Sequence, residues 1–509
     1  MPEVGGRGLR RFLTLEARLR LRQGGLPLLL LAMVVVTALY LPARDAAYLT
    51  LSVNGQRGAY SWAWVGLVTG VLGALAFSLA GLFLVGRAPQ RDAANGSWAL
   101  LATSPASRVA LLGARTLADT LLLWALWGVV LLGSVAVVLA RGEATGAPDL
   151  GALLLPGVLI TFPVLALVAA LGTLLDAVIP RARLGRGVAG VLLWTALVGV
   201  TLGTPAPVPD LLGVREPLRQ ATLALTGRVA APFVLAESGV NVGVQARTAP
   251  LTPQAWTGLT WTPADVAGRT LPVALAVALV LVAALFDLRR GAPRRSPSPR
   301  TARPIRPWPM PAGSGLRLAL LDVRAALLGA PRWLPLAALA LGVAGVGAAA
   351  NPGGPLLPLL LIVGVPVAAR VVFQERASGT EALLGTTVRG ATLPLRRGAA
   401  AFAVLVLPAS GALLALLPAH PDLSGALVIT ALLTVALLLT LRDLRVTDAA
   451  SESLLFLAWY LGPFNHLGVL DTLNPAHALP TLALSAALLA LHAARHWPRR
   501  LPHALEVPA

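Results

Sequence analysis

His492 and His496 stand four residues apart, the spacing that puts two imidazoles on one face of a helix and holds a transition metal when a third ligand joins them. No third ligand is evident beside them in the chain, so the pair reads as interfacial histidines and no metal site is expected. All 6 histidines fall between positions 420 and 503, and the absence of cysteine removes thiolate ligands, disulfides and thiol nucleophiles. HExxH, GxSxG and aspartate-rich metal motifs are missing. A P-loop needs a lysine to reach the β- and γ-phosphates, and here all 41 basic residues are arginine. No catalytic residue and no cofactor on this chain is therefore expected. The remaining ionisable groups are carboxylates set against arginines. Asp119, Asp176 and Glu452 border apolar runs, with Arg115, Arg181 and Arg445 near enough in sequence to pair with them structurally.

One charged stretch occurs twice. DAANGSWALLAT, from Asp92 to Thr103, and ERASGTEALLGT, from Glu375 to Thr386, share 6 of 12 positions, with Asp92 opposite Glu375, Gly96 opposite Gly379 and Thr103 opposite Thr386. Such a match points to a tandem duplication. Asp92 and Glu375 each precede a short run in which Leu100, Leu101, Leu383 and Leu384 form an apolar ridge, and a carboxylate there favours a helix start. Ser104 and Pro105 read as an N-cap and first-turn proline opening a helix through Arg108. Two copies of one loop imply two docking points for a partner.

These loops must be positioned by membrane spans. With 56% hydrophobic residues and 12% charged, the chain has more apolar surface than a soluble fold of 509 residues can bury. The expected fold is an all-α polytopic membrane protein of about twelve spans. They fall near 26–41, 61–86, 116–140, 152–179, 188–204 and 270–286, then 333–350, 355–373, 399–418, 425–441, 452–469 and 480–497. This topology leaves 33 of the 41 arginines on the side of the N-terminus and 8 on the other, which puts both termini in the cytoplasm. The same bias accounts for the net charge of +19 without a nucleic-acid partner.

Each half opens alike. GLRRFLTLEARLRLR at 8–22 and GLRLALLDVRAALL at 315–328 place leucine and arginine at helical spacing, with Leu15, Glu16 and Arg18 matching Leu321, Asp322 and Arg324. Both are too charged to cross and too apolar for water, so each is expected to lie at the membrane interface as an amphipathic elbow helix, in contact with lipid. The expected organisation is a six-span half at 1–286, a basic Pro/Ser-rich linker at 287–314 and a second six-span half at 315–509.

This order of parts resembles the membrane subunits of ABC exporters of the type-2 permease class. Those proteins have a cytoplasmic N-terminus, an elbow helix, six spans and a coupling helix between spans 2 and 3 that docks on a separate ATPase. Their coupling loop reads close to acid-x-x-x-Gly-Thr-x-x-x-Leu-Leu-x-Thr-Pro-x-Ser-Arg. Gly96, Ser97, Leu101, Pro105, Ser107 and Arg108 match it in the first half, and Glu375, Gly379, Thr380 and Leu384 in the second. Asn474 and Pro475 resemble an Asn-Pro of the family's outer loop, whereas the long outer segment 205–269 has no counterpart in the second half. The resemblance implies an ATP-driven exporter, multi-pass in a bacterial-type inner membrane. It also implies cytoplasmic ABC ATPase subunits, two per chain, that carry the ATP and Mg. Trp124, Trp127 and Trp194 stand as substrate-wall candidates against a packing role.

Two alternatives use other residues. A secondary transporter of major-facilitator-like 6+6 layout needs ionisable groups near mid-membrane, and the Gly-x-x-x-Asp-Arg-x-Gly-Arg-Arg loop of that superfamily is absent after span 2. A membrane enzyme acting on lipid-linked substrates lacks a catalytic motif.

Overall fold

Apolar residues dominate every long helix, and short polar side chains begin them. The computed structural model describes residues 12–19, 26–85, 92, 107–179, 183–205, 208–247, 253–289, 323, 333–347, 356–378 and 393–496. They divide into two units. The first comprises Met1–Pro304 with Phe456–Leu461 and Asn465–Leu467, and the second Ile305–Leu455, Gly462–Phe464 and Gly468–Ala509.

In the first unit a short helix at 12–19 precedes α1 (Leu26–Tyr40), β1 (Tyr48–Val53), α2 (Trp62–Leu84), α3 (Arg108–Ala140), α4 (Leu150–Val178) and α5 (Arg183–Gly203). It continues with α6 (Arg215–Thr226), β2 (Val240–Ala246), α7 (Pro263–Gly268) and α8 (Thr270–Arg289). Ser61 caps α2 by accepting from the Trp64 amide, Ser107 caps α3 through Ala110, and Asp149 caps α4 through Ala152. The cap of α3 is thus Ser107; Ser104 and Pro105, where the sequence predicts it, lie outside the described residues. Helix α2 is buried on nearly every side and forms the centre of the unit. Leu112, Ala170, Ala276, Ala283 and Ala284 form a core in which small side chains bring α3, α4 and α8 together. Inside α4, Pro156 precedes a single π turn, Gly157–Thr161, and Gly157 lies flat against the Trp127 ring.

The second unit holds α9 (Trp333–Gly345), α10 (Leu356–Ser378) and α11 (Leu393–Val406), then a 3₁₀ turn, Leu407–Ala409, leading into α12 (Ser410–Leu416). After it come α13 (Pro421–Asp443), α14 (Asp448–Trp459), whose end from Phe456 belongs to the first unit and runs into a π turn at Tyr460–Phe464, and α15 (Ala478–His496). The most extensive pairing here is α13 with α15, as α4 with α8 is in the first unit.

All twelve apolar stretches are helical. Among the described residues, eight helices are long and apolar enough to cross a membrane. Leu132, Leu414 and Leu479 on such helices are 72%, 75% and 79% exposed, which only a lipid surround makes favourable. The chain is a helical multi-pass membrane protein. Helices α1, α9 and α14 are shorter, at 15, 13 and 12 residues.

The all-α expectation needs one correction, a two-stranded antiparallel sheet of β1 and β2. Tyr48–Val53 is short and rich in β-branched and aromatic residues, and the Ser52 hydroxyl reaches the Gln245 side chain at 2.8 Å, 193 residues away. Beside it, the Arg57 guanidinium lies 3.9 Å from the centroid of the Tyr60 ring. Burial pushes the Tyr60 hydroxyl pKa well up, so it stays protonated and donates to the Pro42 carbonyl at 2.6 Å.

Close packing makes one glycine testable. A Cβ on Gly411 of α12 would sit 1.8 Å from the carbonyl oxygen of Gly342 on α9, and a backbone atom cannot rotate aside. Gly411→Ala is expected to cost about 1–3 kcal/mol by forcing α9 and α12 apart. The check is the thermal-unfolding midpoint in detergent, with Gly425→Ala, whose Cβ meets open space, as the neutral control.

Candidate functional site

A charged side chain inside a low-dielectric bundle persists only when it is paired. Among the described residues, each unit contains such a cluster beside the loop that follows its second span. In the first, Arg115, two turns into α3, points inward and is 3% exposed. Its Nη2 pairs with the Asp92 carboxylate, and its Nε lies 3.4 Å from Glu16 on the helix at 12–19. Asp92 and Glu16 are 4% and 2% exposed. The Phe12 ring lies near the same guanidinium, its centroid 5.7 Å away. Glu16 faces inward while Leu15 and Leu19 face outward, so the amphipathic helix is fixed by its acid and leaves its leucines free for lipid.

In the second unit, Glu375 near the end of α10 is 1% exposed and accepts from Arg397 Nε at 2.7 Å. Arg397 also donates through Nη1 to Gln374 Oε1 at 2.6 Å, and Arg442 of α13 stands 3.6 Å from the other Glu375 oxygen. The neighbouring Arg376 donates to the carbonyl oxygens of Arg442 and Val446 at 3.1 and 3.5 Å.

The two clusters share a plan. Acid and arginine are 23 residues apart in the first and 22 in the second, each acid leading into the loop and each arginine on the helix that leaves it. The first joins two carboxylates to one guanidinium; the second joins one carboxylate to two. Both arrangements join a residue that leads into the loop to one on the helix that leaves it.

Asp92 and Glu375, placed by sequence among the docking residues, are therefore interior anchors. Ser107 caps α3 and Arg108 is its first residue. Gly96, Ser97, Leu100, Leu101 and Pro105 lie outside the described residues, as do Gly379, Thr380, Leu383 and Leu384. Of the second elbow stretch, Leu321, Asp322 and Arg324 also lie outside them. The partners of the two anchors were missed because Arg115 and Arg397 carry no motif. The signal was the nearly equal spacing from acid to arginine in the two copies, 23 and 22 residues. Asp119, Asp176 and Glu452 are buried, 1%, 3% and 7% exposed.

The tryptophans separate by role. Trp127 donates to the Thr69 carbonyl oxygen at 3.0 Å and Trp194 to the Ser78 hydroxyl at 2.9 Å, both buried against α2 as packing residues. Trp124, stacked 4.6 Å from Phe162, lines an apolar cleft of about 520 Å³ between α3, α4 and α8, with Thr116 and Thr120 as polar points on its wall.

The reading of His492 and His496 as a bare pair is corrected. A third group, Asp443 at the end of α13, meets both: His492 Nδ1 is 2.6 Å and His496 Nε2 2.9 Å from its carboxylate oxygens. Sequence reasoning missed it because Asp443 precedes His492 by 49 residues and the contact exists only where α13 and α15 are paired. No protein-family model, no curated protein and no solved structure matches the chain.

Proposed function

We propose that the chain is the membrane-spanning subunit of an ATP-driven ABC exporter of the type-2 class, with two six-span permease units fused in one polypeptide and the ATPase supplied by separate cytoplasmic subunits. The observation that carries this reading is the matched pair of buried anchors, each closing the base of the duplicated loop between the second and third spans of its half. A loop that passes force from a soluble motor to the membrane must have a rigid base, because a base that yields dissipates the push. Two such loops in one chain call for two motor subunits.

The parity of contacts supports twelve crossings. Residues that meet at one end of a bundle are separated by an even number of crossings. Between β1 and β2 lie α2, α3, α4 and α5, and between Glu16 and Arg115 lie α1 and α2. Between Asp443 and His492 lie α14 and most of α15. The counts are even only when α1, α5 and α14, which fall outside the eight long apolar helices, also cross. The arginine bias then sets both anchors and both termini in the cytoplasm of a bacterial-type cell, with the sheet on the outer face. The dominant pairing of the fourth and sixth helices in each unit supports the duplication.

Purification of the tagged chain from its native membranes in mild detergent tests the reading. A soluble P-loop ATPase is expected with it, at about two copies per chain by native mass. A single ATPase per chain would remove the two-loop assignment. Reproducible absence of any ATPase from intact, folded chain would point to a self-sufficient carrier instead.

A further inference from the structure

We infer that Asp443, His492 and His496 form a binding site for a divalent transition-metal ion of the zinc class, bridging the ends of α13 and α15. Their three donor atoms lie within 4.8 Å of one another. Two imidazoles and one carboxylate are an established three-ligand set for zinc, which leaves a fourth tetrahedral position for water. The helix sets the first two: positions 492 and 496 are four apart on α15 and present both rings to one side, with centroids 4.6 Å apart. The third comes from the helix most extensively paired with α15, so the ligands are held by packed secondary structure rather than by a loop.

Burial is graded as an entry path requires. His492 is 1% exposed and the Asp443 side chain 7%, whereas the His496 side chain is 40% exposed, so an ion arrives from the solvent side and meets a largely buried floor. The second nitrogen of His492, Nε2, is buried without a hydrogen-bond partner among the described residues. Donor atoms sharing a tetrahedral zinc at about 2.0–2.1 Å stand about 3.3 Å apart. The 2.6 and 2.9 Å separations are shorter than this and no pair of donors exceeds 4.8 Å, so side-chain adjustments on the order of 1 Å bring the three onto one ion.

The site adjoins the second anchor in the chain. Arg442, which reaches Glu375, immediately precedes Asp443, so an ion held by Asp443 also fixes the end of α13 that presents Arg442. This inference stands apart from the transport reading, since it needs only the three side chains and their helices.

Zinc content decides it. The full chain, purified with a tag free of histidine, is incubated with ZnCl₂, dialysed against a weak chelator and assayed by elemental mass spectrometry. About one zinc per chain is expected to remain, falling to background in His496→Ala, whose exposed position spares the fold, and in His492→Ala. Cobalt(II) added to the wild-type chain provides a readout free of mutational side effects: intense visible absorption of tetrahedral cobalt, abolished by zinc, is expected. Wild-type chain that keeps no zinc, zinc content unchanged in His496→Ala, or a cobalt spectrum no different from that of the hydrated ion would overturn the site.

Discussion

Arg115→Ala will destabilise the first unit by about 3–5 kcal/mol, the cost of breaking buried ion pairs by removing one member. Glu16 and Asp92 both rely on this guanidinium, and at 2% and 4% exposure neither gains water when it is removed. The expected observation is a sharply lower thermal-unfolding midpoint and loss of the monodisperse species in detergent. Arg397→Ala removes the shorter of the two described contacts to Glu375 but leaves Arg442 in place, so its effect should be smaller. The order of the two variants thus compares an arginine that meets two carboxylates with one of two arginines that meet the same carboxylate. Replacing the whole first cluster with Glu16→Gln, Asp92→Asn and Arg115→Met should recover most of the lost stability, because buried ion pairs seldom outdo well-packed neutral groups. A triple variant that is stable yet no longer drives transport would assign the anchor to force transmission rather than to folding. Full stability of Arg115→Ala would show that this arginine anchors nothing.

Replacing Leu100 and Leu101 with aspartate, together with Leu383 and Leu384, is expected to abolish recovery of the ATPase while leaving the chain inserted and thermally unchanged. Central apolar residues of a docking surface contribute about 2 kcal/mol each or more, so a pair lost at one loop weakens that contact roughly a thousandfold. Changing one loop alone should leave about one of two ATPase copies bound, which the native mass resolves. Unchanged complex in the four-residue variant would move the docking surface elsewhere.

Much of this architecture was legible in the sequence, because membrane spans are written in composition. Each of the twelve apolar stretches is a helix, and the ends were misjudged mainly where polar residues begin one, as at Arg108 and Arg183. The equivalence of Asp92 and Glu375 was visible as a sequence match, although their burial was not. A carboxylate before an apolar run looks the same on paper whether it faces water or an arginine in the next helix. Glu16 shows the point: helical spacing gave it to a surface helix, and its contact with Arg115 across the bundle accompanies its burial. The sheet and Asp443 were missed for the same physical reason, since each depends on a partner 193 or 49 residues away.

The strand pairing carries a consequence for biosynthesis. While the ribosome is still adding α2 to α5, Tyr48–Val53 lacks the β2 strand that its backbone amides and carbonyls pair with. Such an edge recruits whatever strand it meets first, including the same segment of a neighbouring nascent chain. Completion of the segment 205–269, and its delivery to the same side, closes that interval. Translation pauses or truncations between residues 60 and 240 should therefore yield aggregation-prone fragments, whereas those after 289 should not.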